Sequence, residues 1–277
     1  MGEVLVLTAA AGVPDAAAAG VAGRATRLAP GAIEVALDRP LPAGFAVPGV
    51  DANVVPAERR RKRLLIADMD STIIGVECID ELADFAGVKA EVAAITERAM
   101  RGELDFEAAL DARVALLAGL PESVLGECYA ERVRLNPGAR TLVRTMAALG
   151  AETALISGGF SYFTGRVAAD AGFARNQANT LLVEGGRLTG RVARPILGRA
   201  AKLAALEAIT AERGIGVADA IAVGDGANDL DMVRAAGIGV AYHAKPALAA
   251  EADARLEHSD LTALLALQGI AADAWVD

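Results

Sequence analysis

Cysteine is nearly absent from this chain of 277 residues. Two thiols, Cys78 and Cys128, cannot make a disulfide framework or a four-thiolate zinc site. Both fall in apolar helical patterns, which reads as buried free thiols in a reducing compartment. Long apolar runs are missing too: none approaches the roughly 18 residues a membrane span needs. Met1–Ala10 carries no basic stretch, so no secretory signal is expected. Val6 stands where a myristoylation signal wants Ser or Thr. These absences make the cytoplasm the expected location. Positive charge is in deficit, with a net charge of −9. That balance repels nucleic acid and anionic membrane, so neither is an expected partner. A phosphate-bearing ligand would need a local positive site or a metal.

What is present is apolar. Hydrophobic residues make up 54% and charged residues 23%, too apolar for disorder and enough for a sizeable core. The length suggests about two domains. Residues 1–60, rich in Ala, Gly and Pro, read as a small α+β module. Val4–Leu7, Ile33–Leu37 and Asn53–Val55 are its strand candidates, and Ala16–Ala22 is a weak helix. The module ends at a basic run, Arg59 to Arg63. With no interleaved aromatics and an acidic remainder, this run reads as a solvated boundary rather than a nucleic-acid patch.

From Leu64 the pattern changes. Leu64–Ala67, Thr153–Ile156, Ala220–Val223 and Ile238–Ala241 are short continuous apolar runs. They read as strands buried on both faces of a parallel sheet. Helical patterns alternate with them at Gly138–Leu149, Phe160–Ala171, Ala200–Arg213 and Asn228–Ala236. The fold class expected is α/β, a doubly wound Rossmann-like parallel sheet. Gly185-Gly186, between Asn179–Glu184 and Arg187–Arg191, predicts a hairpin. Residues 76–135 hold no strand-like run. Their amphipathic stretches at Ile79–Phe85, Glu91–Met100, Phe106–Leu117 and Glu122–Val133 predict a small helical bundle. The division is therefore 1–60, a core of 61–75 and 136–277, and a helical cap of 76–135.

Ligands of open α/β sheets bind beyond the carboxyl ends of the strands. Those ends carry Asp68-Met69-Asp70-Ser71-Thr72, Ser157-Gly158-Gly159 and Gly224-Asp225-Gly226-Ala227-Asn228-Asp229. Asp68 and Asp70, two apart, share a face and repel, so a proton or a cation must relieve them. Asp225 and Asp229 deepen the crowding, and a hard divalent ion such as Mg²⁺ would resolve it. An EF-hand fits poorly, because Thr72 and Ile73 replace required residues. Any one of these acids alone reads equally as a strand-end or capping residue. Ser157-Gly158-Gly159 before a helix offers amides and a hydroxyl to an anion. A nucleophile elbow is the rival, but Leu155 occupies its first glycine position. Lys202 reads as a solubilising lysine or as a point charge for phosphate.

These four ordered motifs resemble those of the haloacid-dehalogenase-like hydrolases, and residues 76–135 resemble their small helical cap. More narrowly, four stretches are similar to the phosphoserine phosphatase branch. They are Glu77-Cys78-Ile79-Asp80-Glu81, Met100 to Arg113, Leu188-Thr189-Gly190 and Ala241-Tyr242-His243-Ala244-Lys245-Pro246. The similarity runs from residue 63 to 268. Residues 1–60 depart from it, as a short version of a regulatory module that the family often carries there.

The resemblance implies hydrolysis of L-phosphoserine, the last step of serine biosynthesis, with Asp68 as nucleophile and Asp70 as general acid and base. It implies Mg²⁺ on Asp68, the Asp70 carbonyl and Asp225. Ser157, Gly158 and Lys202 would hold the phosphoryl oxygens. Asn228, beside the substrate, and Asp229 would orient the metal site and Lys202. Glu77 would pair with the substrate ammonium and Arg113 with its carboxylate, while Met100 and Phe106 close over the site. Phosphoryl transfer to another alcohol such as homoserine, hydrolysis of a different small phosphate ester, and a non-catalytic acidic sensor are the competing readings. His243 and His258 are expected to have no catalytic part. A homodimer is compatible with the sequence, which leaves the oligomeric state open.

Overall fold

Alternation along β5 (Leu64–Ala67) explains the core. The computed structural model describes residues 2–100 and 103–277. In it, Leu65 and Ala67 enter one apolar cluster while Leu64 and Ile66 enter another on the opposite face. Side chains two apart on a strand share a face, so an all-apolar strand must be covered on both sides.

The chain before β5 folds as an antiparallel sheet of β1 (Glu3–Thr8), β2 (Gly23–Ala29), β3 (Ala32–Leu37) and β4 (Asp51–Pro56), in the order β2-β3-β1-β4. The helix expected at Ala16–Ala22 is a single turn over Asp15–Ala18. Strand β2 has no apolar run to betray it, because five of its residues face solvent at the sheet edge. In the basic run Arg59, Arg61 and Arg63 are exposed, as a solvated boundary requires, while Arg60 and Lys62 are half-buried. Arg60 pairs with Glu34, Arg59 with Asp219 at 3.3 Å, and Lys62 Nζ donates to the Ala218 carbonyl at 2.8 Å.

After β5 come α1 (Cys78–Phe85), α2 (Lys89–Met100), α3 (Phe106–Ala115) and α4 (Ser123–Arg132), as the amphipathic stretches predict. Bridge pairing of Ile74 with Leu135 closes the base of this insertion. Then follow α5 (Ala139–Ala148), β6 (Glu152–Phe160), α6 (Ser161–Ala171), β7 (Arg175–Asn179), and the hairpin β8 (Leu181–Glu184) and β9 (Arg187–Val192). The chain continues through α7 (Arg199–Glu212), β10 (Ala220–Gly224), α8 (Leu230–Ala235), β11 (Ile238–Tyr242), α9 (Pro246–Ala249), β12 (Ala254–Leu256) and α10 (Ala263–Leu267).

Six strands form one sheet in the order β12-β11-β10-β5-β6-β7, and every pairing in it is parallel. This is the doubly wound α/β fold expected. Residues of α5, α6 and α10 complete the core on one face, and those of α7 and α8 on the other. Both cysteines are buried free thiols. The edge strands β7 and β12 escape the apolar-run criterion, since β7 reads Arg-Asn-Gln-Ala-Asn and β12 has three residues.

Two polar side chains of β4 fasten the antiparallel sheet to the edge of the parallel one. Asn53 exchanges two hydrogen bonds with the backbone of Arg255, at 3.0 and 2.8 Å. The buried Asp51 carboxylate accepts from Glu257 N at 2.9 Å, His258 N at 3.0 Å and Ser259 Oγ at 2.6 Å.

Candidate active site

The adjacent strands β10, β5 and β6 pair in parallel register, bringing Asp225, Asp68 and Ser157 to one edge. Asp68 follows β5 in extended conformation, and a tight turn over Met69–Ile73 then carries Asp70. Ser71 has φ 56°, a left-handed conformation uncommon outside glycine and the polar turn formers. There its hydroxyl donates to Glu77 Oε1 at 2.6 Å.

Lys202 is the fully buried hub of the site. Its ammonium lies 2.7 Å from Asp68 Oδ1 and 2.6 Å from Asp229 Oδ1. The solvated lysine is excluded, since its side chain has 0% exposure. Met69 N donates to the same Asp68 oxygen at 2.8 Å, and Gly226 N to Asp229 Oδ2 at 3.1 Å. Burial alone would lower the Lys202 pKa, but Asp229 and Asp68 outweigh it and keep the ammonium charged.

The carboxylates fare differently. Burial first, then the charge of Asp229, pushes Asp68 well above the usual range. Burial and then Glu77 push Asp70 up to about 7. Burial raises Asp225 to about 6, against the pull of Lys245 at 3.5 Å. Four buried acids thus share one buried ammonium and one exposed one. Among the described residues, oxygens of Asp68, Asp225 and Asp229 lie within 4.8 Å of one another. A hard divalent cation fits this donor set, because it supplies the charge the acids lack. The Asp70 carboxylate lies outside that trio and accepts from Cys78 N at 3.1 Å.

The Ser157–Gly159 stretch departs from expectation. Strand β6 continues through Ser157, Gly158 and Gly159 to Phe160, and α6 starts only at Ser161. The glycine amides are therefore strand-end amides rather than first-turn helix amides. Ser157 Oγ accepts from Gly159 N at 2.9 Å. A β-carbon on Gly159 would come 2.5 Å from Asp70 Oδ2, so a larger residue there would displace the Asp70 carboxylate.

A cavity of about 800 Å³ opens over this edge. Asp68, Asp70, Ser157, Gly158, Asp225 and Asn228 line it from the core, and Glu77, Phe106 and Arg113 from the helical insertion. Lys202 and Asp229 lie behind the carboxylate wall rather than on the lining. Arg113 is partly buried and donates to the Ala109 carbonyl at 3.2 Å. Met100 ends α2, and its side chain lies outside the described residues. Arg199 and Lys245 also line the cavity, and sequence reasoning gave neither a role. The position of Lys245, just past the carboxyl end of β11, was the available signal.

The family model for haloacid dehalogenase-like hydrolases matches residues 65–234. The chain belongs to this family. Among curated relatives of this hydrolase, a phosphoserine phosphatase of Streptomyces coelicolor is 49% identical over 224 residues, 80% of this chain. The hydrolase spans about half of that relative, 54% of its length. A phosphoserine phosphatase of Albidiferax ferrireducens is 49% identical over 210 residues, covering 74% of the hydrolase and 89% of the relative. A solved structure described as a phospho-aspartyl intermediate analogue of phosphoserine phosphatase superposes with a TM-score of 0.69 at 40% identity. It covers 74% of this chain and 98% of its own.

Proposed function

We propose that this hydrolase cleaves L-phosphoserine to L-serine and phosphate in the cytoplasm, with Mg²⁺, as the closing step of serine biosynthesis. One observation carries the reading. A single cavity joins the Asp68–Asp70 edge to an acid and a base of the helical insertion, Glu77 and Arg113. These are the charges needed to meet a phosphate, an ammonium and a carboxylate on one small molecule. The relatives' names point to the same substrate.

In this reading Asp68 attacks phosphorus, and the serine oxygen leaves with a proton from Asp70. A pKa near 7 suits Asp70 to that donation. Water then attacks the aspartyl-phosphate, Asp70 takes the water proton, and Asp68 is released as carboxylate. Two displacements replace one difficult attack of water on an anionic ester. Lys202 holds Asp68 in line through its Oδ1 contact. Ser157 and Gly158 would receive the phosphoryl oxygens. Asp68, Asp225 and the Asp70 carbonyl would hold Mg²⁺, with Asp229 beside them accepting from Lys202 and Gly226 N. When bound, the ion neutralises charge between nucleophile and phosphate.

The test is phosphate release from L-phosphoserine beside sugar and nucleotide monophosphates, with Mg²⁺ and with chelator. Release confined to L-phosphoserine and abolished by chelator is expected. Release from another ester in preference would replace the substrate, and a phosphorylated acceptor formed with homoserine present would replace water.

Arg113→Ala should weaken L-phosphoserine turnover selectively. A charge-assisted hydrogen bond contributes about 1.5–3 kcal/mol, so kcat/KM should fall roughly ten- to hundredfold. Phosphoethanolamine, which lacks the carboxylate, should lose far less. Equal losses on both would remove Arg113 from recognition.

A further inference from the structure

Asn179, the last residue of β7, is 3% exposed and belongs to none of the motifs that carry the chemistry. Its amide nitrogen donates to the Gly158 carbonyl at 2.8 Å and to the Leu197 carbonyl at 3.2 Å. Its amide oxygen accepts from Leu197 N at 2.7 Å. One buried side chain therefore ties the phosphate-binding turn to the segment that starts α7. Gly198, the next residue, caps α7, and its carbonyl accepts from Ala201 N at 3.0 Å and Lys202 N at 3.3 Å. The brace thus reaches the first turn of the helix that presents Lys202.

Between the two braced segments lies the ring of Phe106, the first residue of α3. A β-carbon on Gly158 would stand 3.1 Å from Cζ of this ring, and one on Gly198 would stand 3.1 Å from Cδ1. The ring is held edge to edge between two glycines, one on each side of the Asn179 brace. At Gly198 the backbone itself does not need glycine. With φ −119° and ψ −159° it is extended, so what the missing side chain provides is room.

We infer that Asn179 is a positioning residue that fixes the separation of Gly158 and Gly198, and that the slot between these glycines seats Phe106 and thereby the helical insertion on the core. Closure over the cavity is then registered at once by the phosphate-binding turn and by the start of the Lys202 helix. Gly198 is a determinant of closure through space alone, and Asn179 through its three hydrogen bonds. The kinetic part of this inference rests on the phosphatase reading, and the structural part does not.

Gly198→Ala is the decisive variant, because alanine adopts this backbone and its methyl meets the ring. Amide hydrogen exchange should rise in the hydrogen-bonded body of α3, Leu110–Ala115, with the remaining core unchanged. For L-phosphoserine, kcat/KM should fall about five- to tenfold, and in a Phe106→Ala background the same change should cost less than about twofold, the coupling expected of side chains in contact. Asn179→Asp, which turns the donor toward two carbonyls into an acceptor, should raise exchange at Ser157–Gly159 and Leu197–Ala201 together. Should Asn179→Asp fail to fold, Gly198→Ala still decides. Raised exchange in α3 without phosphoserine turnover by any form of the enzyme would support the slot and remove the phosphatase reading. Unchanged exchange with turnover intact, or a Gly198→Ala defect undiminished by Phe106→Ala, would overturn the slot.

Discussion

Asp68→Asn should abolish phosphate release from L-phosphoserine without lowering the thermal midpoint. Replacing a covalent nucleophile in a coupled catalytic unit costs on the order of 10⁴–10⁶ in kcat. Asparagine matches the shape of aspartate and keeps an oxygen for Lys202 and Met69 N, now 2.7 and 2.8 Å from Oδ1. It also removes one negative charge from a site where burial and Asp229 already oppose ionisation. Stability should therefore be equal to or above that of the parent. Rapid-quench trapping should find phosphate on the parent protein and none on the variant. Residual turnover within about tenfold of the parent would assign the attack to another group.

Lys202→Met should produce the largest loss of stability. The ammonium is fully buried between Asp68 and Asp229, and removing one partner of a buried ion pair costs about 3–5 kcal/mol. For a chain of this size that is a fall of roughly 10 °C in thermal midpoint. Asp68, already raised by burial, then faces the charge of Asp229 with no cation between them, so its folded pKa rises further above that of the unfolded chain. An acid whose folded pKa is raised binds its proton more tightly when folded, so folding weakens as pH rises above the unfolded value. The deficit of the variant should thus shrink toward pH 5 and grow toward pH 8, measured by thermal melts across that range. A deficit independent of pH would locate the cost in lost packing instead of charge.

Much of the molecule is legible in the chain because burial and chemistry leave strong local marks. Leu64–Ala67 had to be a two-sided strand, and Asp68 after it had to stand at the ligand edge. Phe106 and Arg113 were recognisable only by resemblance, since a bundle core and a solvated face would have the same sequence. Strands β2, β7 and β12 left no mark because their polarity reflects edge positions, which only the assembled sheet defines. Lys202 was read as a solubilising lysine or as a point charge for phosphate, and its burial against Asp68 and Asp229 excludes the first of these. Asn179 could not be singled out at all. A lone asparagine at a strand end reads as turn chemistry, and its three bonds join segments set by the fold.

The grip of β4 on β12 has a further consequence. A three-residue edge strand with free amides and carbonyls is a template on which a foreign strand can grow. Here the carboxamide of Asn53 occupies the Arg255 amide and carbonyl from the side, imitating a neighbouring strand without being one. The antiparallel sheet thereby covers an edge that would otherwise be open to strand pairing. Without it the Arg255 amide and carbonyl would lose the partners that Asn53 supplies.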